Sequence, residues 1–255
     1  MVGLRRGFGY KYSLLKRKGF EVETKTLIAI VTCHSRLSSW DQAIRDTWLP
    51  LVPTKADAVF FVGRGETQAP KDVVELDCND KYEGLPEKVR AIARWAISHD
   101  YDFMLKCDDD VVLKPAALLA SGYEKHDYIG RANRPPQPYV VPMGFNYWLS
   151  KRCMEIISKA ELPGNFDDEK WVAKNLWDHG IVLVDDQRYA LHTKLLDPPK
   201  RSLRAPRRET FIVPTLEPEY FSRCIYLPET IEVKLAEFKK VFNKYGGYSG
   251  QTVGS

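Results

Sequence analysis

The sequence DFMLKCDDDVVLKP, residues 102–115, sets the arrangement of the rest of the chain. Two short apolar runs, Phe103–Leu105 and Val111–Leu113, flank three consecutive carboxylates, Asp108–Asp110. Short apolar runs bounded by polar residues predict strands, so the carboxylates form a turn between two strands. Three such groups repel one another and are costly to bury, and a divalent cation with oxygen ligands would relieve both effects. A solvated acidic turn is the alternative, because an Asp-x-Asp pattern is short.

The elements upstream of this turn alternate between strands and helices. Strands are predicted at Leu27–Thr32, Asp57–Val62 and Val73–Asp77, one helix after the capping-box pair Ser39 and Gln42, and another with Pro86 near its first position. This alternation predicts an α/β fold with a largely parallel sheet flanked by helices. In such sheets ligands bind at the carboxyl ends of the strands, where the three aspartates fall.

The elements downstream of the turn are less regular. The patterns predict a proline-rich loop at Asn133–Pro142, an amphipathic helix at Lys151–Lys159, a helix that begins at Asp167 and Asp168, and a hairpin of Ile181–Val184 with Tyr189–Leu191. Negative charge is favourable at a helix N-terminus, so Asp167 and Asp168 could serve as caps alone. His192 follows the hairpin directly, and a structural histidine is its alternative interpretation.

The composition is that of an ordinary globular protein, with 44% hydrophobic and 28% charged residues. A net charge of +4 does not by itself indicate a nucleic-acid-binding protein. The five cysteines are scattered and form no C-x-x-C pair, which predicts reduced thiols and a cytoplasmic location. The basic N-terminus has no continuous apolar run, so neither a signal peptide nor a transmembrane segment is expected.

The predicted organisation has four parts. They are a basic N-terminal arm at 1–25, a catalytic domain at 26–195, a C-terminal extension packed on that domain at 196–243, and a flexible tail at 244–255. The basic stretch 194–208 could hold a nucleic acid or an anionic lipid-linked acceptor, and a solvated loop is the alternative.

Two cations lie on the predicted helices. Arg45 is close to the apolar face of the first helix, where a surface cation is the alternative to a functional role. Lys88 sits in the first turn of the second helix and opposes the helix dipole, so we expect either an anionic group nearby or a lysine that extends to the surface.

Six features occur together in one order. They are Ile44-Arg45-Asp46-Thr47-Trp48, Lys88 on the helix before the acidic strand, Lys106-Cys107-Asp108-Asp109-Asp110, Gly144-Phe145-Asn146-Tyr147-Trp148-Leu149-Ser150, Asp167-Asp168, and His192. This set resembles the inverting β-1,3-glycosyltransferases of the galactosyltransferase/Fringe type, glycosyltransferase family 31, over about residues 26–195. The resemblance implies a GT-A fold, a UDP-sugar donor and Mn²⁺ or Mg²⁺.

The resemblance also implies a role for each matching residue. It assigns metal binding to Asp108, Asp110 and His192, donor binding to Arg45, Lys88, Asp108 and Asp109, and the general base to Asp168. The chemistry agrees, since a cation can neutralise a diphosphate leaving group and an inverting transfer needs one base for the acceptor hydroxyl. Carboxylates with one imidazole suit Mn²⁺ better than structural zinc.

This sequence departs from the family pattern at several points. Phe145 adds bulk to a segment that is usually glycine-rich, and Val172 or Ala173 stands where a small glycine is usual. The membrane anchor and paired cysteines of Golgi members are absent from the sequence, which suggests a bacterial or viral cytoplasmic relative.

The expected function is transfer of a hexose or N-acetylhexosamine from a UDP-sugar to an acceptor hydroxyl of a glycan or glycoconjugate. A metal-dependent sugar-binding module without turnover, a nucleotide-sugar hydrolase, and the same transfer to a nucleic acid are the alternatives.

Overall fold

The computed structural model describes residues 24–65, 69–133, 138–164, 167–189, 191–192, 222–224 and 239. The strands are β1 Thr26–Val31, β2 Ala56–Arg64, β3 Val73–Asn79, β4 Phe103–Asp108, β5 Val111–Leu113, β6 Tyr128–Asn133, β7 Val141–Ser150, β8 Val184–Asp185, β9 Leu191–His192 and β10 Ser222–Cys224. The α-helices are α1 Trp40–Arg45, α2 Leu85–Ser98, α3 Pro115–Leu119, α4 Lys151–Lys159 and α5 Asp168–Asp178.

The larger sheet has seven strands in the order β3-β2-β1-β4-β7-β6-β8. Within the group β1 to β4 every pair of neighbouring strands is parallel, and β6 is parallel to β8. The predicted α/β fold with a mostly parallel sheet is therefore confirmed. Strand β7 is the exception, because it runs antiparallel to both β4 and β6.

The sequence patterns missed β6 and β7. The segment predicted as a proline-rich loop, Asn133–Pro142, instead contains the end of β6 and the start of β7, and Pro142 lies inside β7. The register between β6 and β7 is irregular near Gly130 and Ala132, so the pairing does not depend on an unbroken series of hydrogen bonds there.

The smaller sheet has three strands in the order β5-β10-β9. The predicted hairpin is wrong, because β8 joins the larger sheet while β9 joins the smaller one. A 3-10 turn at Gln187–Tyr189 separates them. Strands of two residues carry too little alternation to reveal their partners, so the local pattern could not distinguish these arrangements.

The core lies on both faces of the larger sheet. All six residues of β1 are buried, as expected for a parallel strand covered on both sides. Ile28 and Ile30 pack with Trp40 and Trp48 on one face. Alternate residues of β1 face the other side and pack with the apolar residues of α2, α4 and α5.

Helix α1 differs from its prediction. The Ser39 hydroxyl donates to the carbonyl of Arg36 at 3.1 Å and makes no hydrogen bond within the helix, so the predicted capping box is not formed. The helix ends at Arg45, and Trp48 lies beyond it. The Trp48 indole donates to the carbonyl of Val111 at 3.0 Å and so joins this region to the acidic turn.

The arm 1–25, the extension 196–243 and the tail 244–255 lie almost entirely outside the described residues, and these boundaries stay predictions. Within the described part, β10 pairs with β5 and β9, and Lys239 lies 3.4 Å from Asp46. No helix in the described ranges is long and apolar enough to cross a membrane. The described cysteines are free thiols: Cys33, Cys78, Cys107 and Cys153.

Candidate active site

The acidic turn lies where the chain passes from the larger sheet to the smaller one. Asp108 is the last residue of β4, a central strand, and β5 begins at Val111. The strand–turn–strand prediction is therefore confirmed, and the turn is at the carboxyl end of β4. Neighbouring parallel strands end at the same edge, so the loops after β1 to β3 also reach this region.

The buried side chain of Lys106 contacts three elements of the site. Side chains alternate along a strand, so Lys106 and Asp108 project from the same face of β4. The Lys106 side chain is 2% exposed, and its Nζ lies 2.6 Å from Asp108 Oδ1. The same Nζ donates to the carbonyl of Gly144 at 2.5 Å and lies 3.7 Å from Asp168 Oδ2. One buried ammonium therefore connects β4, β7 and α5.

Asp168 is the first residue of α5, and its exposed fraction is 1%. The N-cap is its neighbour Asp167, whose carboxylate accepts from the backbone N–H of Lys170 at 3.0 Å. The capping role thus belongs to Asp167. Within the described part of the chain, Asp168 Oδ2 has no hydrogen-bond partner. Asp168 is therefore available for another role.

The surroundings of Asp168 shift its pKa towards neutrality. Burial is the largest effect and raises the pKa of this carboxyl to about 7, while the Lys106 ammonium acts in the opposite direction and Glu169 adds to the rise. Burial likewise raises the pKa of Asp108 to about 6, against the attraction of Lys106. A carboxyl with a pKa near neutrality is well suited to accept a proton.

Glu169 is a third acid at this position that the sequence patterns did not single out. Its carboxyl lies directly on Gly144, where a Cβ would overlap Glu169 Oε1. Burial raises the pKa of Glu169, and Lys106 opposes the rise. A side chain at position 144 would therefore require the Glu169 side chain to move. The position of Glu169 one residue after Asp168 was its only signal in the sequence.

Asp109 points the other way from Asp108, as alternation predicts. It is 1% exposed, and its carboxylate accepts from the Thr32 hydroxyl at 2.8 Å and pairs with Arg36 at 2.5 Å. Both oxygens are thus engaged by the protein. These contacts fix the acidic turn to the loop after β1, and the predicted donor contact of Asp109 stays a prediction.

Arg36 is a second residue that sequence reasoning missed. Its side chain is 42% exposed at the edge of the acidic turn. Burial acts to lower its pKa, but Asp109 and Asp110 outweigh this and raise it. Asp110 is half-buried and lies close enough to act on this guanidinium.

Lys88 is buried at the start of α2. An anionic group lies beside it, as the first of its two interpretations predicted. Its Nζ donates to the carbonyl of Thr32 at 2.6 Å and to Asp80 at 2.8 Å. Asp80 in turn accepts from the backbone N–H groups of Gly63 and His34. Lys88 therefore joins the ends of β1, β2 and β3, and its predicted proximity to a donor stays untested.

The described contacts of Arg45 do not include the three aspartates of the acidic turn. The guanidinium lies 3.1 Å from Asp41 and 2.8 Å from Asp72, and it stacks over the Phe60 ring at 4.3 Å. These contacts attach α1 to β2 and to the segment before β3. A role of Arg45 at the donor stays a prediction.

The smaller sheet brings the backbone of His192 towards the acidic turn. Cys224 of β10 pairs with both Val111 and His192. Two strand spacings therefore separate His192 from the residue that follows Asp110, or roughly 10 Å. The His192 side chain lies outside the described residues.

The described residues contain no group of three or more histidine, cysteine, aspartate or glutamate side chains close enough to hold a metal ion. Asp108 and Asp110 are the described members of the predicted set. The donor types fit Mn²⁺ or Mg²⁺, since hard cations prefer carboxylate oxygen, and Asp108 uses only Oδ1 for its ion pair with Lys106. The basic stretch 194–208 also lies outside the described residues.

A family model described as galactosyltransferase matches residues 41–135. A curated relative, "Probable beta-1,3-galactosyltransferase 13" of Arabidopsis thaliana, is 28% identical over 120 residues. That match covers 37% of this chain and 35% of the relative, so the chain spans about a third of the relative's length. The family match includes the acidic turn and ends before Asp168.

Two solved structures are also similar to this chain. One is a glycosyltransferase involved in glycosylation of the major capsid of PBCV-1, with a TM-score of 0.48, 11% identity, and coverage of 84% of this chain and 99% of that one. The other is assigned as a nucleotide-diphospho-sugar transferase from Desulfovibrio desulfuricans G20, with a TM-score of 0.43, 11% identity, and coverage of 64% and 80%.

Proposed function

We propose that the chain is an inverting, metal-dependent glycosyltransferase of GT-A type, and the match of residues 41–135 to a galactosyltransferase family model and the 28% identity over 120 residues to a curated β-1,3-galactosyltransferase support this proposal. The enzyme moves a hexose or N-acetylhexosamine from a UDP-sugar to a hydroxyl of a glycan or glycoconjugate. One observation carries the proposal: the Lys106 ammonium lies 2.6 Å from Asp108 and 3.7 Å from Asp168, so a buried carboxyl is held beside the acidic turn.

The acidic turn is the donor side of the site. Asp108 and Asp110, with His192, would hold Mn²⁺ or Mg²⁺, and the ion would neutralise charge that develops on the UDP leaving group. Asp109 is held by Thr32 and Arg36 and keeps the turn in place for this role. Lys88 and Arg45 fix the strand ends and the helix around the same edge.

Asp168 is the general base. It takes the proton of the acceptor hydroxyl while that oxygen attacks the anomeric carbon and the bond from this carbon to the phosphate oxygen breaks. The proton ends on Asp168, and the bonding electrons leave with UDP. A single displacement of this kind inverts the anomeric centre. A pKa of about 7 lets Asp168 accept the proton near neutral pH.

The burial of Asp168 also favours an enzyme over a sugar-binding module. Among the described residues Asp168 Oδ2 accepts no hydrogen bond and has only the Lys106 ammonium at 3.7 Å, and a buried carboxyl held in this way costs folding free energy. Such groups are concentrated at catalytic sites, where the cost is retained for the reaction.

Replacement of the base tests the proposal. Asp168→Asn should retain metal-dependent UDP binding, measured by calorimetry, and lower transfer at least about 100-fold, measured as UDP release over a panel of UDP-sugars and acceptors. Asp167→Asn is the matched control, since it changes the neighbouring capping carboxylate and should keep most of the transfer activity. Normal transfer by Asp168→Asn would refute the assignment of the base. Equal UDP release with and without acceptor would indicate a hydrolase.

A further inference from the structure

Arg36 is a partly exposed cation that contacts the acidic turn directly. It ends the 3-10 turn His34–Arg36 in the loop after β1. Its Nη1 lies 2.5 Å from Asp109 Oδ1, and 42% of its side chain is exposed, against 2% of the Asp109 side chain. The chain neighbours of Asp109 are Asp108 and Asp110, the two predicted metal ligands on the turn. The guanidinium is therefore fixed beside these carboxylates and is still partly open to solvent.

The contact between Arg36 and Asp109 lies at the crevice where sheets of this kind bind ligands. Strand β1 lies between β2 and β4, so the chain leaves β1 on one side and returns on the other side at β4. The loops that follow β1 and β4 therefore separate and leave a crevice at the carboxyl ends of the two strands. Arg36 comes from the first loop and Asp109 from the second. A ligand bound in this crevice would meet the guanidinium.

Exposure distinguishes Arg36 from the two lysines around the same strand ends. The side chains of Lys88 and Lys106 are each 2% exposed. Each of these ammonium groups is already bound by a backbone carbonyl and a carboxylate of the protein. Arg36 uses one of its five N–H groups for Asp109, and the described residues offer no hydrogen-bond partner to the others. Of these three cations, only Arg36 has donors left for an incoming ligand.

A diphosphate suits the free donors of Arg36. The planar guanidinium is always charged and can pair with two phosphate oxygens at once. A diphosphate placed against three carboxylates would be repelled unless cations lie between them. The predicted metal ion would supply positive charge from the acidic turn, and Arg36 would supply it from the loop after β1.

We propose that Arg36 binds the diphosphate of the donor and stabilises the charge that forms on UDP as it leaves. The inference rests on the proposed function, which supplies this leaving group. When the bond from the anomeric carbon to the phosphate oxygen breaks, the electron pair stays on that oxygen, and Arg36 neutralises part of the added charge. Arg36 transfers no proton, because the proton of the acceptor hydroxyl goes to Asp168.

Calorimetry on chelator-treated protein measures this contact without a metal ion. Arg36→Gln should bind UDP and pyrophosphate at least about tenfold more weakly than the unmodified protein, because a charge-assisted pair with phosphate is lost. Arg36→Lys keeps the charge without the planar fork and should recover part of the loss. Arg152→Gln is the matched control, since Arg152 is 61% exposed and pairs with Asp127 at 3.1 Å near the opposite end of β4. Unchanged binding of either probe to Arg36→Gln would overturn the inference.

A further variant distinguishes a direct contact from an effect through Asp109. The Thr32 hydroxyl donates to the same carboxylate at 2.8 Å, so Thr32→Val loosens Asp109 and leaves the guanidinium in place. The affinity for UDP should change little in this variant. If Thr32→Val weakens UDP binding as much as Arg36→Gln does, Arg36 only positions Asp109 and the inference fails.

Pyrophosphate separates this inference from the proposed function, because it contains neither a nucleoside nor a sugar. Pyrophosphate binding that depends on Arg36, in a protein that turns over no UDP-sugar, would count against the proposed function alone. Transfer from a UDP-sugar together with normal UDP binding by Arg36→Gln would count against the inference alone. Failure of the unmodified protein to bind pyrophosphate would also overturn the inference.

Discussion

At the scale of single residues, Lys106 explains how two acids can share a buried cleft. Burial alone would lower the pKa of a lysine, but Asp108 and Asp168 outweigh this and raise it, so the ammonium stays charged. Removing either carboxylate would leave the other paired, whereas removing Lys106 would leave both without their cation. The cation in K-C-D-D-D is therefore as important to the geometry as the acids that follow it.

The pKa of Asp168 predicts the pH dependence of transfer. Because burial raises that pKa to about 7, the fraction of ionised base increases with pH, and kcat/KM should rise through about pH 7 to a plateau. A profile of UDP release against pH, at saturating metal and donor, measures this. A rate that is flat or falls between about pH 6 and pH 8 would contradict the role of Asp168 as the base.

The same shift has a consequence for stability. A carboxyl whose pKa is higher in the folded than in the unfolded protein favours folding while it is protonated, and this contribution is lost as the pH rises through the folded-state pKa. Ionisation of Asp168 therefore lowers the free energy of unfolding at about pH 7 and above. An enzyme can retain such a loss of stability at its catalytic site.

At the scale of elements, the contact between α5 and β7 determines the shape of the cleft. Helix α5 brings Asp168 and Glu169 against β7 at Gly144, and the carbonyl of Gly144 accepts from Lys106. The first two residues of β7, Val141 and Pro142, were predicted as the end of a proline-rich loop. Its antiparallel pairing with β4 places Gly144 beside the acidic turn.

A double-mutant cycle tests this contact. Gly144→Ala should displace the Glu169 side chain and destabilise the protein by about 1 kcal/mol at most, because the new methyl group would overlap only the flexible end of that side chain. In a Glu169→Ala background the same change should cost much less, since the three nearest atoms all belong to Glu169. Urea denaturation measures both differences. Gly164→Ala is the control, since no described atom beyond the chain neighbours of Gly164 would lie within 4 Å of its new Cβ; equal costs in both backgrounds would show that Glu169 is not the obstacle.

At the scale of the whole molecule, two sheets meet at the acidic turn. The larger sheet supplies Asp108, and the smaller one places β9 two strands from β5 by way of β10. Residues 111, 192 and 224 thus lie in one row across the smaller sheet. This pairing places the backbone of His192, the predicted metal residue, two strands from the residue that follows Asp110.

Removal of the imidazole tests that arrangement. His192→Ala should raise the Mn²⁺ concentration for half-maximal transfer at least about tenfold, because a ligand is lost while the carboxylates remain. Titration of Mn²⁺ into chelator-treated protein measures it. His179→Ala is the control. The imidazole of His179 is exposed, and its described hydrogen bond is to the carbonyl of Asn175, one turn earlier in the chain. An unchanged Mn²⁺ requirement would place the metal elsewhere.

The sequence alone determined the features that depend on neighbouring residues. The strand–turn–strand at Asp108–Asp110, the parallel β1–β4 half of the sheet, and the helix start at Asp167 and Asp168 all follow from periodicity, turn residues and charge within short windows. Only the tertiary structure decided that Asp167 caps the helix while Asp168 is buried, and that Asp109 turns away to Arg36. The same holds for the insertion of β7 beside β4, and for Lys106 as the link between Asp108 and Asp168. These outcomes depend on contacts between segments far apart in the chain, and the free energy of burying and pairing charges is fixed only when those segments meet.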